Sequence, residues 1–597
     1  MVRSMSSTDP FPESADTLLR KQKALRRAFL ERSDLLELRL AVLGGSTTDE
    51  VVNLTELLLL RAGLKPAFYQ SDYQKYFEEA VVDPARLIAF RPDIVWIYTS
   101  ARDLRYPPID ASASILDQHL DREMARFRTI WDSLERQVGC VIVQNNFEPP
   151  ETHLLGNMDA VSAAGQVRFV NALNERFARE ADARQRLYLH DLASVAALVG
   201  QRHFVDPRRW FGYKIFTTPE GSLEVARSMA ALVRAIYGRA RKCLVLDLDN
   251  TLWGGVIGDD GPDKIVIGRE TPAAEAFTAF QDYCLRLRER GVLLAVCSKN
   301  TAALAIEGFG HPDSVLRMEH FASFKANWEP KHENLIAISR ELNIGLDSLV
   351  FVDDNPAERA IVAAQLPMVA VPEVGSEVVD FVAILERERY FETLSLSGED
   401  LVRANLYADN AKRAVQESRF SNYGEYLDSL QMKAEIAPFR AVYLDRITQL
   451  TNKTNQYNLT TRRYTQAEIE HIAVDPTRLA LYGRLSDAFG DNGLITVVIG
   501  HQINQTLELE LWLMSCRVLK RDMELAMLDA VVAACQRRDI RELRGRYLRT
   551  AKNDLVADHY SRLGFSLVEE GPQQSSWSLD LAAYRPRNTH IREISSG

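Results

Sequence analysis

Cysteine is sparse in this chain and never clustered. Six residues (Cys140, Cys243, Cys284, Cys297, Cys516 and Cys535) lie scattered over 597 positions with no CxxC pair. That spacing excludes a disulfide framework and a zinc ribbon, and it fits a reducing compartment. No apolar run is long enough to cross a bilayer, and the opening MVRSMSSTDPFPES lacks the apolar core of a signal peptide. A cytoplasmic location is therefore expected, and sequons such as Asn452-Lys-Thr454 carry no meaning there. There is no long Lys/Arg block, and the net charge of -10 argues against a general nucleic-acid binder. Internal repeats and low-complexity tracts are absent. What remains is an ordinary globular composition, 46% hydrophobic and 26% charged, in a chain long enough for three or four domains.

The hydrophobic pattern divides the chain into three parts, expected at residues 1–238, 239–385 and 386–597. After a charged helical opening, LRLAVLGGSTTDEVVNLTELLLLRAG reads as strand, Gly-rich turn and helix, and PDIVWIYTS and GCVIVQNNF follow as strands with helical patterns between them. Strands alternating with helices predict a parallel α/β sheet. A second α/β series runs through CLVLDLDN, GVLLAVCSKN and DSLVFVDDN and fades near residue 380, before the charged boundary ERERYFETLSLSGED. The third part opens with helix. It then offers antiparallel-type strands in GLITVVIGHQINQTLELELWLMS, and a helix and a strand after them.

The chemistry concentrates in the second series. CLVL runs straight into Asp247 and Asp249, two carboxylates separated by one residue, an arrangement that is costly unless a cation or reacting group lies between them. In a parallel sheet, ligands gather at the carboxyl ends of the strands. Three strands here end in polar residues: Asp247-Leu-Asp249, Ser298-Lys299, and Asp353-Asp354; Lys331 stands in NWEPKHENL between the last two. One carboxylate can attack phosphorus while its neighbour shuttles a proton. Asp353 completes a Mg2+ site, and Ser298 and Lys331 hold phosphate oxygens.

DLDNTLWGG, CSKN, the lysine of WEPK and VDDNPAER resemble the four motifs of the haloacid dehalogenase (HAD) superfamily, and their extended forms resemble its FkbH-like branch over almost the whole chain. The resemblance implies Asp247 as nucleophile and Asp249 as general acid/base. It implies a magnesium site drawn from Asp247, Asp249, Asp353 and Asp354, with Ser298, Lys299 and Lys331 on the substrate phosphate. The insertion GVIGDDGPDKIVIG reads as a small hairpin flap rather than a full cap, which suits a substrate carried on another protein. The branch is associated with loading a glyceryl unit from 1,3-bisphosphoglycerate onto an acyl carrier protein, with loss of both phosphates. Such loading calls for a thiol. Cys297, beside Ser298, is one candidate, since a thiolate near Mg2+ and Lys331 would have a lowered pKa; strand alternation points it away from Ser298, and Cys516 in LMSCRVLK competes.

In the first part, GGSTTDE places Ser46 in a turn resembling the first block of SGNH-type hydrolases. Asn145 or Asn146 would supply an oxyanion donor, but FVDPRRWFGYKIF offers Asp206 with no histidine after it, only His203 before. An inactive scaffold is the expectation. The third part resembles the GNAT acyltransferase fold through SDAFGDNGLITVVIG, LELELWLMSCRVL and AKNDLVADHYSRLGF. The turn where GNAT proteins bind pyrophosphate reads RVLKRDMELA here, with Lys520, Arg521 and Asp522 and no glycine. That departure counts against coenzyme A binding and leaves Lys520 and Arg521 as an attractor for a phosphopantetheine arm or as a solvated basic turn. NKTNQYNLTTRRYT lines a groove or caps the fold. The expected fold class is thus multidomain α/β: an SGNH/flavodoxin-like part, a HAD-like Rossmannoid core with a minimal flap, and a GNAT-like α+β part. The leading reading is a cytosolic glyceryl transferase of polyketide-type biosynthesis acting on a separate carrier chain. The alternatives are a Mg2+-dependent phosphatase of a small metabolite and a non-catalytic carrier-binding scaffold.

Overall fold

A computed structural model describes residues 14–594, except 33–34, 397–400, 402–412, 414–415, 417–419, 421, 455, 516–517 and 551–552. The chain forms two compact units, Met1–Ala235 and Ile236–Gly597. Among the described residues no helix is long and apolar enough to cross a membrane.

The first unit is built on a five-stranded parallel sheet of β1 (Leu36–Gly44), β2 (Leu64–Gln70), β3 (Ile94–Tyr98), β4 (Val141–Asn145) and β5 (Leu187–His190), in the order β2-β1-β3-β4-β5. This is the flavodoxin-like doubly wound order, whose switch point lies between β1 and β3. The apolar runs forecast as strands are strands because both faces are covered. Ile94–Tyr98 is buried at every position, as a central parallel strand requires.

The second unit holds two sheets. A four-stranded parallel sheet comprises β6 (Cys243–Leu246), β7 (Leu293–Ser298), β8 (Phe321–Ala326) and β9 (Leu349–Val352), ordered β8-β7-β6-β9. Alternation along β7 sends Leu294 and Val296 into the apolar layer with Phe280 and Phe309. It sends Leu293, Ala295 and Cys297 into the opposite layer, with Leu335 and Phe351. The first of these layers continues through Phe381, Leu385, Tyr390 and Phe391, past the 385 boundary read from the pattern. The expected hairpin flap is instead a loop closed by one antiparallel pair, Gly254 with Val266, and filled by short helical turns at Ile257–Asp260 and Pro262–Lys264. Its glycines and charged residues do not sustain strand alternation.

The other sheet has eight strands: β10 (Lys433–Pro438), β11 (Arg478–Asp487), β12 (Gly490–Ile503), β13 (Thr506–Met514), β14 (Glu542–Leu548), β15 (Ser566–Glu570), β16 (Gln574–Asp580) and β17 (Arg592–Glu593). Their order is β15-β16-β14-β13-β12-β11-β10-β17. The β12–β13 hairpin turns on Asn504, whose φ of 54° suits a two-residue loop. β13 and β14 pair in parallel only from Thr506–Glu542 to Leu509–Gly545 and then separate.

Candidate active site at the carboxyl ends of the four-stranded sheet

β6 and β9 lie side by side, so their carboxyl ends deliver Asp247 and Asp353 to one place, and the helix Lys331–Glu341 brings Lys331 from the other side. Lys331 Nζ, 4% exposed, lies 3.0 Å from Asp247 Oδ2 and 2.5 Å from Asp353 Oδ2. Burial opposes its charge, but the two carboxylates outweigh burial and hold its pKa above the ordinary lysine value. Asp353 is pushed up to about 6, by burial first and by the charge of Asp247 second, with Lys331 acting against both. Asp354 is raised by burial and then by Asp247. Oxygens of Asp247, Asp353 and Asp354 all fall within 4.8 Å of one another. Asp247 Oδ1 is buried and has no hydrogen-bond partner. A buried carboxylate oxygen without a donor is expensive, and an all-oxygen set with an orphaned member suits a hard cation such as Mg2+ rather than zinc.

Asp249 belongs to the same cavity but is held differently. Its Oδ1 accepts from Trp253 Nε1 (2.9 Å) and Ile257 N (3.1 Å), and its Oδ2 from Asn300 Nδ2 (2.9 Å). With both oxygens accepting from N–H donors, Asp249 stands outside the cluster of Asp247, Asp353 and Asp354, although the sequence offered it as a fourth ligand. Burial raises its pKa against these three bonds. Gly308 makes that cradle possible: a Cβ there would stand 2.9 Å from the Trp253 ring and 2.8 Å from Ile257.

An open cavity of about 200 Å3 is lined by Asp247, Asp249, Ser298, Lys299, Lys331 and Asp354. Lys299 arrives paired, its Nζ 2.6 Å from Glu358, another lining residue. Cys297 does not reach the cavity. It is fully buried in the opposite layer, its Sγ 3.6 Å from the Lys331 carbonyl, and burial drives its pKa up despite the nearby Lys331 charge. The expected low-pKa thiolate is thereby corrected: alternation holds to the end of β7. Cys516 lies outside the described residues. The motif reading passed over Asn300, Trp253 and Arg359. Arg359 donates to the carbonyls of Asp353 and Asp354 (both 2.8 Å) and so fixes the turn after β9. All three stand inside or beside the quoted motifs, so their proximity in sequence was the available signal.

The other candidates stand apart from this cavity, and several are engaged in holding the fold. The Asn145 amide binds Thr99 N and O (2.8 and 2.6 Å), and that of Asn146 binds Asp191 and Ala193 N (2.7 and 2.9 Å), so both tie strand ends together. Ser46 is buried and its hydroxyl has no hydrogen-bond partner, hence no base. His203 is exposed, and Asp206 caps the helix Pro207–Tyr213 through Arg208 N. In the eight-stranded sheet the opening between β13 and β14 is filled by the chain itself. Leu459 N donates to Trp512 O (3.1 Å), Met514 N to Tyr457 O (3.0 Å), Leu548 N to Leu459 O (2.8 Å) and Asn553 Nδ2 to Asn458 O (3.0 Å). Arg521 is buried on Asp487 (2.9 Å), which also holds Arg413 (2.8 Å). Asp522 and Glu524 place carboxylates at the start of the helix Met523–Gln536, where the dipole would otherwise favour an anion. Arg521 is therefore no phosphate attractor; Lys520 stays exposed.

Neither a family model nor a curated protein matches the chain. Among solved structures, the N-terminal part of the protein BF1531 from Bacteroides fragilis, containing a phosphatase domain complexed with Mg, is similar. It shows 29% identity and a TM-score of 0.58, over 63% of this chain and 99% of that one. The fold is shared over that span. Ribosomal-protein-S18-alanine N-acetyltransferase from Escherichia coli matches at 10% identity and a TM-score of 0.21, over 26% of this chain and 99% of its own. PaiA N-acetyltransferase from Thermoplasma acidophilum, solved with coenzyme A, matches at 16% and 0.20, over 25% and 99%. These last two likenesses are too slight to carry an argument.

Proposed function

We propose that the second unit is a Mg2+-dependent phosphatase of the HAD type, working on a phosphorylated substrate at the carboxyl end of the four-stranded sheet. The observation that carries this reading is the orphaned, buried Asp247 Oδ1 facing a carboxylate cluster that Lys331 only partly neutralises. Asp247, Asp353 and Asp354 would hold Mg2+, which when bound offsets the charge of the phosphoryl oxygens. Asp247 forms a bond to phosphorus as the bond to the leaving oxygen breaks, and Asp249, kept protonated more readily by burial, donates the proton to that oxygen. Water then cleaves the aspartyl-phosphate, with Asp249 taking the proton back. Lys331 and Ser298 hold the phosphoryl oxygens. The magnesium-bound phosphatase domain of the Bacteroides fragilis neighbour supports the assignment.

The finer reading is that the phosphorylated compound is 1,3-bisphosphoglycerate and that its glyceryl unit passes to the phosphopantetheine thiol of a separate acyl carrier protein, in polyketide-type metabolism. The FkbH-like motifs and the open, uncapped cavity support it. With Cys297 buried, the transfer in this reading goes directly to the carrier thiol: its sulfur bonds to the acyl carbon as the bond from that carbon to the phosphate oxygen breaks, phosphate leaves, and the thiol proton passes to solvent, while Asp247 removes the remaining ester phosphate. Phosphate release from acetyl phosphate and 1,3-bisphosphoglycerate tests the first reading. Release is expected to vanish with chelation, return with magnesium and be absent in Asp247→Asn. Wild-type turnover in that variant sinks the assignment. A donor-dependent mass gain on the carrier tests the second.

A further inference from the structure

Of the seven tryptophans, Trp96, Trp131, Trp253 and Trp512 are at most 1% exposed and Trp210 and Trp577 are half-buried, whereas Trp328 is 74% exposed. An indole left in water forgoes burying roughly 150–250 Å2. Trp328 sits on the loop 327–330 between β8 and the helix that begins with Lys331. This loop is tightly held. Asn327 N donates to Ser298 O (3.1 Å), the Asn327 and Asn334 amides exchange two hydrogen bonds (3.2 and 2.8 Å), and Glu329 N donates to Asn327 Oδ1 (3.0 Å). The exposure of the indole is thus imposed by the loop that delivers Lys331 and braces Ser298, both of which line the cavity. The cavity floor is ionic. On the flap, Val256 (39% exposed) adjoins Ile257, whose N–H holds Asp249, so apolar surface also flanks the site there.

We propose that Trp328 is a binding residue that stacks on the part of the substrate left outside the cavity, an extended amide-bearing arm of the pantetheine kind. This rests on the finer reading above. A phosphoryl or acyl end reaching the ionic floor leaves its arm outside, where the exposed indole, on the held loop three residues before Lys331, can cover amide planes. Iodide quenching tests it directly, because Trp328 supplies most of the exposed fluorescence, beside the half-buried Trp210 and Trp577. Pantetheine alone is expected to shield the larger iodide-accessible fraction in the wild type, and Trp328→Ala to lose that larger fraction. With 1,3-bisphosphoglycerate as donor, the pantetheine KM is expected to rise on the order of tenfold in Trp328→Ala with kcat within about twofold, and Trp328→Phe to recover most of the loss. Unchanged quenching on adding pantetheine overturns the proposal, as does an alanine variant with the wild-type KM. If the wild type releases phosphate but forms no thioester, the acyl-transfer reading is lost, and the quenching result still decides the role of Trp328.

Discussion

Three carboxylates within 4.8 Å of one another would repel strongly without Lys331, which is itself buried between two of them. Breaking a buried ion pair by removing one partner costs about 3–5 kcal/mol. Lys331→Met is therefore expected to lower the melting temperature of metal-free protein markedly. Because Mg2+ relieves the same repulsion, magnesium should raise the melting temperature more in the variant than in the wild type; equal shifts would contradict the arrangement. Cys297 gives the opposite kind of prediction. Packed among Leu335 and Phe351 with its thiol pKa raised, it should resist iodoacetamide in the native protein. Cys297→Ala should cost about 1–2 kcal/mol through the small cavity left behind while phosphate release persists. Loss of phosphate release in a folded Cys297→Ala protein would reinstate the thiol.

At the level of elements, the segment Tyr457–Leu459 behaves as a short strand inserted where β13 and β14 part. It pairs main-chain groups that the separation would leave unpaired. Asn553 fastens it, fully buried, with its amide on Asn458 O and Leu548 O and its oxygen accepting from Thr550 N (2.8 Å). Asn553→Ala strands these groups and is expected to destabilise the protein by about 2–4 kcal/mol, read from denaturant midpoints. Coenzyme A titrated into the wild type is expected to give no binding heat, since polypeptide occupies the groove and two carboxylates face the helix start. Micromolar binding would show that the segment moves aside.

For the whole molecule, two buried groups pull stability in opposite directions with pH, one in each unit. In the second unit His559, fully buried against Tyr457 and Trp512, is lowered to about 3 by burial, with Arg562 adding to the effect. The unfolded chain then binds the extra proton first, so stability is lost as pH falls from about 6.5 toward 3, at up to about 1.4 kcal/mol per pH unit. In the first unit Glu148 is raised to about 8 by burial, although Ala101 N donates to it (3.0 Å). Here the folded state keeps the proton, so the contribution is intact below about 4.5 and is lost as pH rises through about 8. Calorimetry across pH should show His559→Gln flattening the loss of stability below about pH 6.5 and Glu148→Gln the loss between about pH 4.5 and 8. Unaltered slopes in both variants would mean that other groups govern the pH response.

The strand-ending carboxylates, the lysine between them and the parallel sheets were legible from short-range pattern. A short apolar run in a series that alternates with helical patterns reads as a buried strand, and the polar residues after it then stand at its carboxyl end. Alternation along LLAVCS even contained the answer for Cys297, because β7 stays regular through Ser298. The partners of these groups were not legible. Arg521 on Asp487, Asn300 on Asp249, and Tyr457–Leu459 wedged between Trp512 and Leu548 are pairings across tens of residues. No local period encodes such pairings; only the packing of distant elements chooses them. The sequence by itself determined which side chains meet at the strand ends. The tertiary structure decided the part each can play, because burial and prior ion pairs had already claimed Cys297 and Arg521, and hydrogen bonds held the Asp249 carboxylate apart from the metal-binding cluster.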